Sequence, residues 1–152
     1  MHQRIELHRT KYASHHYDEQ LDTLFSDWFP ETAEMIEDDF TFEMNQWIEV
    51  SKKVRPSKIY DYCVNFIYPI SPEQQTWMAH LLNPGWVRLG VKQYSHVVPE
   101  EYISNLSVYQ MFQEFLDMKL ENQFEIEHFS DEQTAIQWLG LTSIHLPKRL
   151  AS

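Results

Sequence analysis

FEIEHFSDEQTAIQWL, residues 124–139, contains the signals of a strand, a turn and a helix in immediate succession. The alternation in FEIEHF is typical of a strand. Ser130 stands three residues before Gln133, the spacing of a capping box in which each side chain satisfies a free backbone N–H. Helical spacing is kept by the apolar residues that follow, Ala135, Ile136, Trp138 and Leu139, and Gly140 is placed to end the helix. The stretch predicts a strand followed by a helix that packs back onto a sheet, which indicates architecture and no chemistry.

The length and composition of the chain are those of one globular domain. It has 152 residues, of which 43% are hydrophobic and 14% aromatic. Such a chain can bury a core without disulfides or metal, and overall disorder is excluded by this composition. We find no linker or internal repeat, and we expect a single domain over 1–152, with its core at about 8–140 and a surface tail at 141–152.

Charge and cysteine content narrow the possible partners and compartment. A formal net charge of -11 argues against nucleic acid and against an anionic membrane surface, because both require clustered Lys and Arg. The lone Cys63 cannot form an internal disulfide, and residues 1–10 lack the apolar region of a signal peptide. No run approaches the length of a membrane span. These features predict a cytoplasmic protein.

The first half of the chain predicts a hairpin and then a helix. Residues 1–8 are polar and predict a loosely held end. The aromatic-rich runs 11–17 and 23–29 flank a polar turn, and Pro30 ends the second run. Residues 39–53 keep helical spacing, with acidic side chains early and Lys52 and Lys53 late.

The second half alternates strands and helices. Residues 59–66 predict a central strand, and Ser71 opens a second capping box with Pro72 at the first helical position. We expect Asn83-Pro84-Gly85 to break that helix and a strand to follow at 91–98. A third box at Ser107 and Gln110 predicts another helix start.

This order of elements predicts an α/β fold. Strands joined through helices pair in parallel by right-handed crossovers, whereas the hairpin is antiparallel. We therefore expect a mixed sheet of about five strands, with an N-terminal antiparallel hairpin and about four helices.

Three segments resemble small bacterial domains of the STAS-like type, the class that includes anti-sigma-factor antagonists. They are FEIEHFSDEQTAIQWL, KIYDYCVNFIYPISPEQQTW (residues 58–77) and ISNLSVYQ (residues 103–110). The resemblance implies a sandwich of four helices and five strands without enzymatic activity. It places Ser71 where phospho-switched members carry their serine, although residues 66–70 lack the Asp-Leu-Ser type of signature that precedes it. The fold is shared in outline with lipid-binding CRAL-TRIO domains.

Catalytic and metal-binding patterns are absent from the sequence. The histidines are scattered without His-x-x-x-His or Cys-x-x-Cys spacing, so we expect no metal and no cofactor. Three glycines cannot build a phosphate-binding loop, and no Gly-x-Ser-x-Gly elbow occurs. Cys63 on a strand is an ordinary small buried thiol. We therefore expect no enzyme.

Two polar residues on the central strand are candidates for a ligand crevice. Asp61 and Asn65 are expected on one face, with Asn65 near the carboxyl end of the strand, where ligands bind in such sheets. Internal hydrogen bonding is the simpler interpretation, because buried polar groups usually find partners within the protein. Among the tryptophans, we expect Trp47, Trp77 and Trp138 in the core and Trp28 and Trp86 at loops.

The 66–71 loop is the candidate interaction surface. It holds Phe66, Tyr68, Ile70 and Ser71, and we expect Tyr68 and Ile70 to point outward. The leading hypothesis is a non-enzymatic domain that binds a protein partner or forms a homodimer. The alternative is a pocket between sheet and helices that binds a small apolar ligand or lipid.

Overall fold

The computed structural model describes residues 4–142 and shows one mixed sheet covered by helices. The strands are β1 (Arg4–Arg9), β2 (Ala13–Asp18), β3 (Thr23–Trp28), β4 (Lys58–Tyr62), β5 (Gln93–Val97) and β6 (Glu125–Phe129). The helices are α1 (Glu37–Val54), α2 (Pro72–Leu89), α3 (Tyr102–Asp117) and α4 (Glu132–Trp138), and a short 3-10 helix covers Pro30–Glu34. The predicted α/β class is confirmed. The tail predicted at 141–152 lies mostly outside the described residues.

The strands lie in the sheet in the order in which they occur along the chain. β1, β2 and β3 are antiparallel neighbours, and β3 to β6 are parallel. The hairpin of β2 and β3 was predicted, but β1 was not, so the sheet has six strands rather than about five. The prediction of a loose N-terminal end is wrong for β1 because this polar strand is formed by pairing with β2, which local pattern does not encode.

Two hydrophobic cores lie on opposite faces of the sheet. Successive right-handed crossovers in one direction place α1, α2 and α3 on the same face, where they bury the larger core. α4 follows the last strand and returns to the other face. There Ala135, Ile136 and Leu139 pack with Tyr60 and Val97. The side chains of each strand therefore alternate between two buried environments, except toward the edges.

Helix α2 continues through the segment predicted to break it. Pro84 removes one backbone N–H donor, yet the helix runs on to Leu89 and ends at Gly90 with φ 90°. Asn83 is wholly buried, and its Nδ2 donates to the carbonyl of Phe115 on α3 at 3.2 Å. A Cβ at Gly85 would lie 2.7 Å from Ile48 Cδ1. Tertiary packing on both neighbours therefore stabilises this helix, and Gly85 permits close approach of α1.

Only one of the three predicted capping boxes is present. Ser71 accepts from the Gln74 N–H at 3.2 Å, and Gln74 Oε1 accepts from the Ser71 N–H at 3.0 Å. The other two predictions are wrong. Helix α3 begins earlier, where Glu101 caps it, and Ser107 is buried inside that helix. Helix α4 is capped by Asp131 instead of Ser130, because the Asp131 carboxylate accepts from the Thr134 N–H at 2.8 Å.

The tryptophans are arranged differently from the expectation. Trp47 is in the core, and so are Trp28 and Trp86, which are 1% and 0% exposed. Trp28 points inward because strand alternation places it on the face covered by α1, α2 and α3. Trp86 is buried because α2 continues past Pro84. Trp77 is 37% exposed, and Trp138 is half-buried at the edge of the smaller core.

Candidate functional site

A cluster of polar side chains lies at the carboxyl ends of the two central parallel strands. Asp61 on β4 is in register with His96 on β5. Cys63 follows β4, and its N–H donates to the carbonyl of Val97 at 2.9 Å, which continues the ladder. A carboxylate oxygen of Asp61, the Cys63 Sγ and a ring nitrogen of His96 all lie within 4.8 Å of one another. All three residues are buried, at the sheet edge where α/β proteins commonly bind ligands.

The carboxylate of Asp61 is the centre of the hydrogen bonding in this cluster. Trp28 Nε1 donates to Oδ1 at 2.9 Å, and the Tyr94 hydroxyl donates to Oδ2. The Cys63 thiol also hydrogen-bonds to the carboxylate. Burial raises the pKa of Asp61 to about 6, although the three hydrogen bonds oppose this rise by stabilising the charged form. The carboxylate is thus held in a dry site by donors from three other residues.

The thiol of Cys63 is poorly suited to nucleophilic chemistry. Burial raises its pKa well above the usual range, and the neighbouring charge of Asp61 raises it further. The thiolate is the reactive form, and it needs a positive, accessible environment. The cluster therefore does not have the electrostatics of a cysteine nucleophile.

His96 contacts a second histidine on the neighbouring strand. Its Nδ1 lies 2.8 Å from Nδ1 of His128 on β6, so one ring donates and the other accepts. Burial, followed by the proximity of His128, lowers the pKa of His96 well below its usual value. Burial also lowers the pKa of His128. Both rings are therefore neutral at pH 7, and the Nε2 of His96 has no hydrogen-bond partner within residues 4–142.

A small apolar cavity adjoins the cluster. It has a volume of about 20 Å³, which is room for about one water molecule. Asp61 and Cys63 line it beside aromatic and aliphatic side chains of the larger core, including Trp28, Phe66, Ile70 and Phe112. The cavity in this conformation is too small for a lipid.

The 66–71 loop folds over this cavity, so the prediction that Ile70 points outward is wrong. Phe66 and Ile70 are 3% and 4% exposed. Tyr68 is half-buried and stacks on Phe40 with ring centroids 5.1 Å apart, and its hydroxyl accepts from Gln74 Nε2 at 2.7 Å. The apolar side chains turn inward because the open end of the larger core lies beneath them. Of the predicted surface residues only Ser71 is exposed, and it caps α2.

The structure separates the two predicted crevice residues. Asp61 is buried at the cluster, but β4 ends at Tyr62 and Asn65 lies in the turn beyond it. The expected shared strand face is therefore wrong. The sequence interpretation also missed His96, His128 and Tyr94. Asp61 and Cys63, two residues apart in the predicted strand, gave a usable signal, but the partners on β5 and β6 depend on sheet register.

A second candidate site is an exposed apolar stripe on α3. It consists of Tyr102, Leu106, Tyr109 and Leu116, whose spacings of four, three and seven residues place them on one helix face. Their exposed fractions are 74%, 43%, 53% and 56%, respectively. We call this set the α3 stripe. The opposite face of the same helix lines the cavity through Val108, Met111 and Phe112.

The surroundings of the α3 stripe are acidic. Helix α3 contains no Lys or Arg; Glu101 caps its N-terminus, Asp117 ends it, and Glu114, on the side facing α2, accepts a hydrogen bond from Thr76 at 3.0 Å. Between residues 100 and 132 the chain has a single Lys or Arg, Lys119, among many carboxylates. The stripe is therefore an apolar surface in a negative field.

Comparisons with known proteins assign no relative to this chain. No protein-family model matches it, and neither a curated protein nor a solved structure matches it. The STAS-like resemblance thus stays a prediction.

None of the helices within residues 4–142 is long and apolar enough to cross a membrane.

Proposed function

We propose that this protein is a non-enzymatic interaction domain whose α3 stripe binds a basic amphipathic helix of a protein partner. The observation that carries the proposal is the α3 stripe itself, four large apolar side chains exposed along one face of a helix. Large apolar groups aligned in this way are typical of helix-docking surfaces. The predicted function, binding of a protein partner, is retained, but the binding surface lies on α3 instead of the 66–71 loop.

Charge favours a basic partner over a second copy of the chain. Two copies meeting at the α3 stripe would bring together the carboxylates of Glu101 and Asp117 without a basic side chain of α3 to compensate. Like charges at an interface disfavour association, whereas Lys and Arg at the edge of a partner helix would complement these carboxylates. A homodimer, the other form of the predicted interaction, therefore has less support.

The alternative function, binding of a small apolar ligand or lipid, has weaker geometric support. The cavity beside Asp61 and Cys63 holds about 20 Å³, whereas small-molecule sites usually enclose about 300 Å³ or more. Opening it would require displacement of the packed 66–71 loop. The cytoplasmic location and the STAS-like assignment remain part of the proposal and are supported by sequence alone.

The test uses a synthetic helical peptide with Leu on one face and Lys on the other. Calorimetry should detect binding that weakens with added salt, while a matched peptide with every Lys replaced by Glu should not bind. The double variant Leu106→Ser, Tyr109→Ser should weaken binding by about tenfold or more. Phe42→Ser, an exposed apolar position on α1, is the matched control and should leave binding unchanged.

The following outcomes would contradict binding of a basic helix at the α3 stripe. Equal binding of both peptides, or unchanged binding by the double variant, would refute the docking surface. A dimer in sedimentation that the double variant dissociates would show that a second copy occupies the stripe. A lipid-sized mass retained in native mass spectrometry, with no peptide binding, would favour the ligand pocket.

A further inference from the structure

Three different types of metal ligand meet in the buried cluster. Asp61, Cys63 and His96 contribute an oxygen, a sulfur and a nitrogen within 4.8 Å of one another. Zinc bonds of about 2.0–2.3 Å place tetrahedral ligands about 3.3–3.8 Å apart. Small side-chain rotations would therefore bring these three atoms to bonding distance from one ion.

The unpartnered nitrogen of His96 is a second and separate observation. The side chain is 2% exposed, and its Nε2 lacks a hydrogen-bond partner among the residues described, 4–142. A buried polar atom without a partner is costly and requires an explanation. Because Nδ1 is engaged by His128 at 2.8 Å, Nε2 is the ring nitrogen that remains to bind a metal.

The partners of these ligands resemble those that surround metal centres. A metal-binding imidazole commonly donates its other N–H to a second group, which fixes the tautomer and the ring orientation. His96 can donate Nδ1–H to His128 in this way. Trp28 and Tyr94 likewise orient the Asp61 carboxylate by donating to its two oxygens. A simple buried hydrogen-bond network accounts for Asp61, but it leaves Nε2 of His96 unexplained.

We propose that Asp61, Cys63 and His96 form a binding site for a single Zn²⁺ ion. Zinc accepts sulfur, nitrogen and oxygen ligands together, whereas Ca²⁺ and Mg²⁺ require oxygen ligands in larger number. On binding, Cys63 Sγ forms a bond to the ion and releases its proton to solvent. The carboxylate and the thiolate then neutralise the two positive charges, which suits a site with little access to water.

The fourth position of a tetrahedral ion would face the small cavity. Asp61 and Cys63 both line that cavity, whose volume of about 20 Å³ accommodates one water ligand. Phe66 and Ile70, which are both buried, also line it. The site would therefore hold its ion beneath the 66–71 loop, independently of whether the α3 stripe binds a partner.

Cobalt substitution tests the site directly. Tag-free protein stripped with a chelator is loaded with Co²⁺ in two ways, by addition to the folded protein and by refolding from urea in its presence. We expect one equivalent to bind, with a thiolate-to-cobalt charge-transfer band in the near ultraviolet. Zn²⁺ should displace Co²⁺ and remove the band, and competition with a chromophoric chelator measures the Zn²⁺ affinity.

Variants distinguish this cluster from other histidines. Cys63→Ser should abolish the charge-transfer band and weaken Zn²⁺ binding by about 100-fold or more. This is a larger effect than is typical when a residue that only hydrogen-bonds to a metal ligand is replaced. His96→Gln should weaken binding similarly. His80→Gln, at an exposed histidine of α2, is the control and should leave affinity and spectrum unchanged. Circular dichroism of each variant verifies that it is folded.

Several results would overturn the proposal. The first is a failure of both loading routes to give stoichiometric Co²⁺ or Zn²⁺ binding. The second is a cobalt spectrum without a thiolate band. The third is a folded Cys63→Ser variant that keeps the full Zn²⁺ affinity.

Discussion

Replacement of His15 by Phe should remove much of the acid sensitivity of this protein. His15 lies on β2 with no exposed surface, and its Nδ1 is 2.8 Å from Ser26 Oγ. Its ring stacks on Trp47, with centroids 5.8 Å apart, and meets the edge of Trp28. Burial is the main reason that the pKa of His15 falls to about 3, and the nearby histidines of β1 and β2 lower it further.

The sign and size of the effect follow from proton linkage. In the unfolded chain the pKa of a histidine is about 6.5, so between pH 6.5 and pH 3 only the unfolded state binds this proton. Stability is therefore fully present above pH 6.5 and is lost progressively as the pH falls. At about 1.36 kcal/mol per pH unit, protonation of His15 in the unfolded state lowers the free energy of unfolding by about 2 kcal/mol between pH 7 and pH 5.

Urea unfolding followed by far-ultraviolet circular dichroism at pH 7 and pH 5 measures this loss. Other titrating groups contribute equally to both proteins, so the wild type should lose about 2 kcal/mol more than His15→Phe. Ser26→Ala is the matched control, because it removes the hydrogen bond but keeps the imidazole and therefore the pH dependence. Losses that agree within about 0.5 kcal/mol in wild type and His15→Phe would refute the reasoning.

Three further stability predictions follow from the packing. Gly85→Ala gains about 1 kcal/mol of helix propensity but places a Cβ against Ile48, so it should stabilise an Ile48→Val background more than the wild type. A double-mutant cycle by urea melts should show a coupling of about 1 kcal/mol or more, and zero coupling would mean that the helices do not meet there. Asp131→Ala should lose about 0.5–2 kcal/mol as a lost cap, whereas Ser130→Ala should change stability by less than about 0.5 kcal/mol; the reverse order would restore the predicted capping box. Trp86→Ala should cost about 3–5 kcal/mol in the same assay, and a loss below about 1 kcal/mol would contradict its burial.

Local signals in the sequence were sufficient for most elements of the fold. The hairpin runs, the helix cap at Ser71 and the end of α4 at Gly140 depend on side chains within a few residues of one another. At Gly140 the backbone adopts φ 79°, and its N–H donates to the carbonyl of Gln137 at 2.9 Å, as a glycine after a helix permits. These signals, with the alternation of helices and strands, are sufficient to specify the α/β class without any tertiary contact.

The candidate sites depended on contacts that the local pattern does not contain. Asp61, Cys63 and His96 meet only because β4 and β5 pair in one register, and a shift by one residue would direct His96 to the other face. The α3 stripe depends on where that helix begins: the helix starts at Tyr102 rather than at Ser107, and this start places Tyr102 and Leu106 within it.

The sequence by itself determined the class of fold, the alternation of helices and strands after the hairpin, and the helix start at Ser71, because those features arise from hydrogen bonds and periodicity over short distances. Only the tertiary structure decided that β1 joins the sheet, that α2 continues past Pro84, and that Phe66 and Ile70 turn inward. In each case a weak or contrary local preference was overcome by the larger free energy of strand pairing and apolar burial between distant residues.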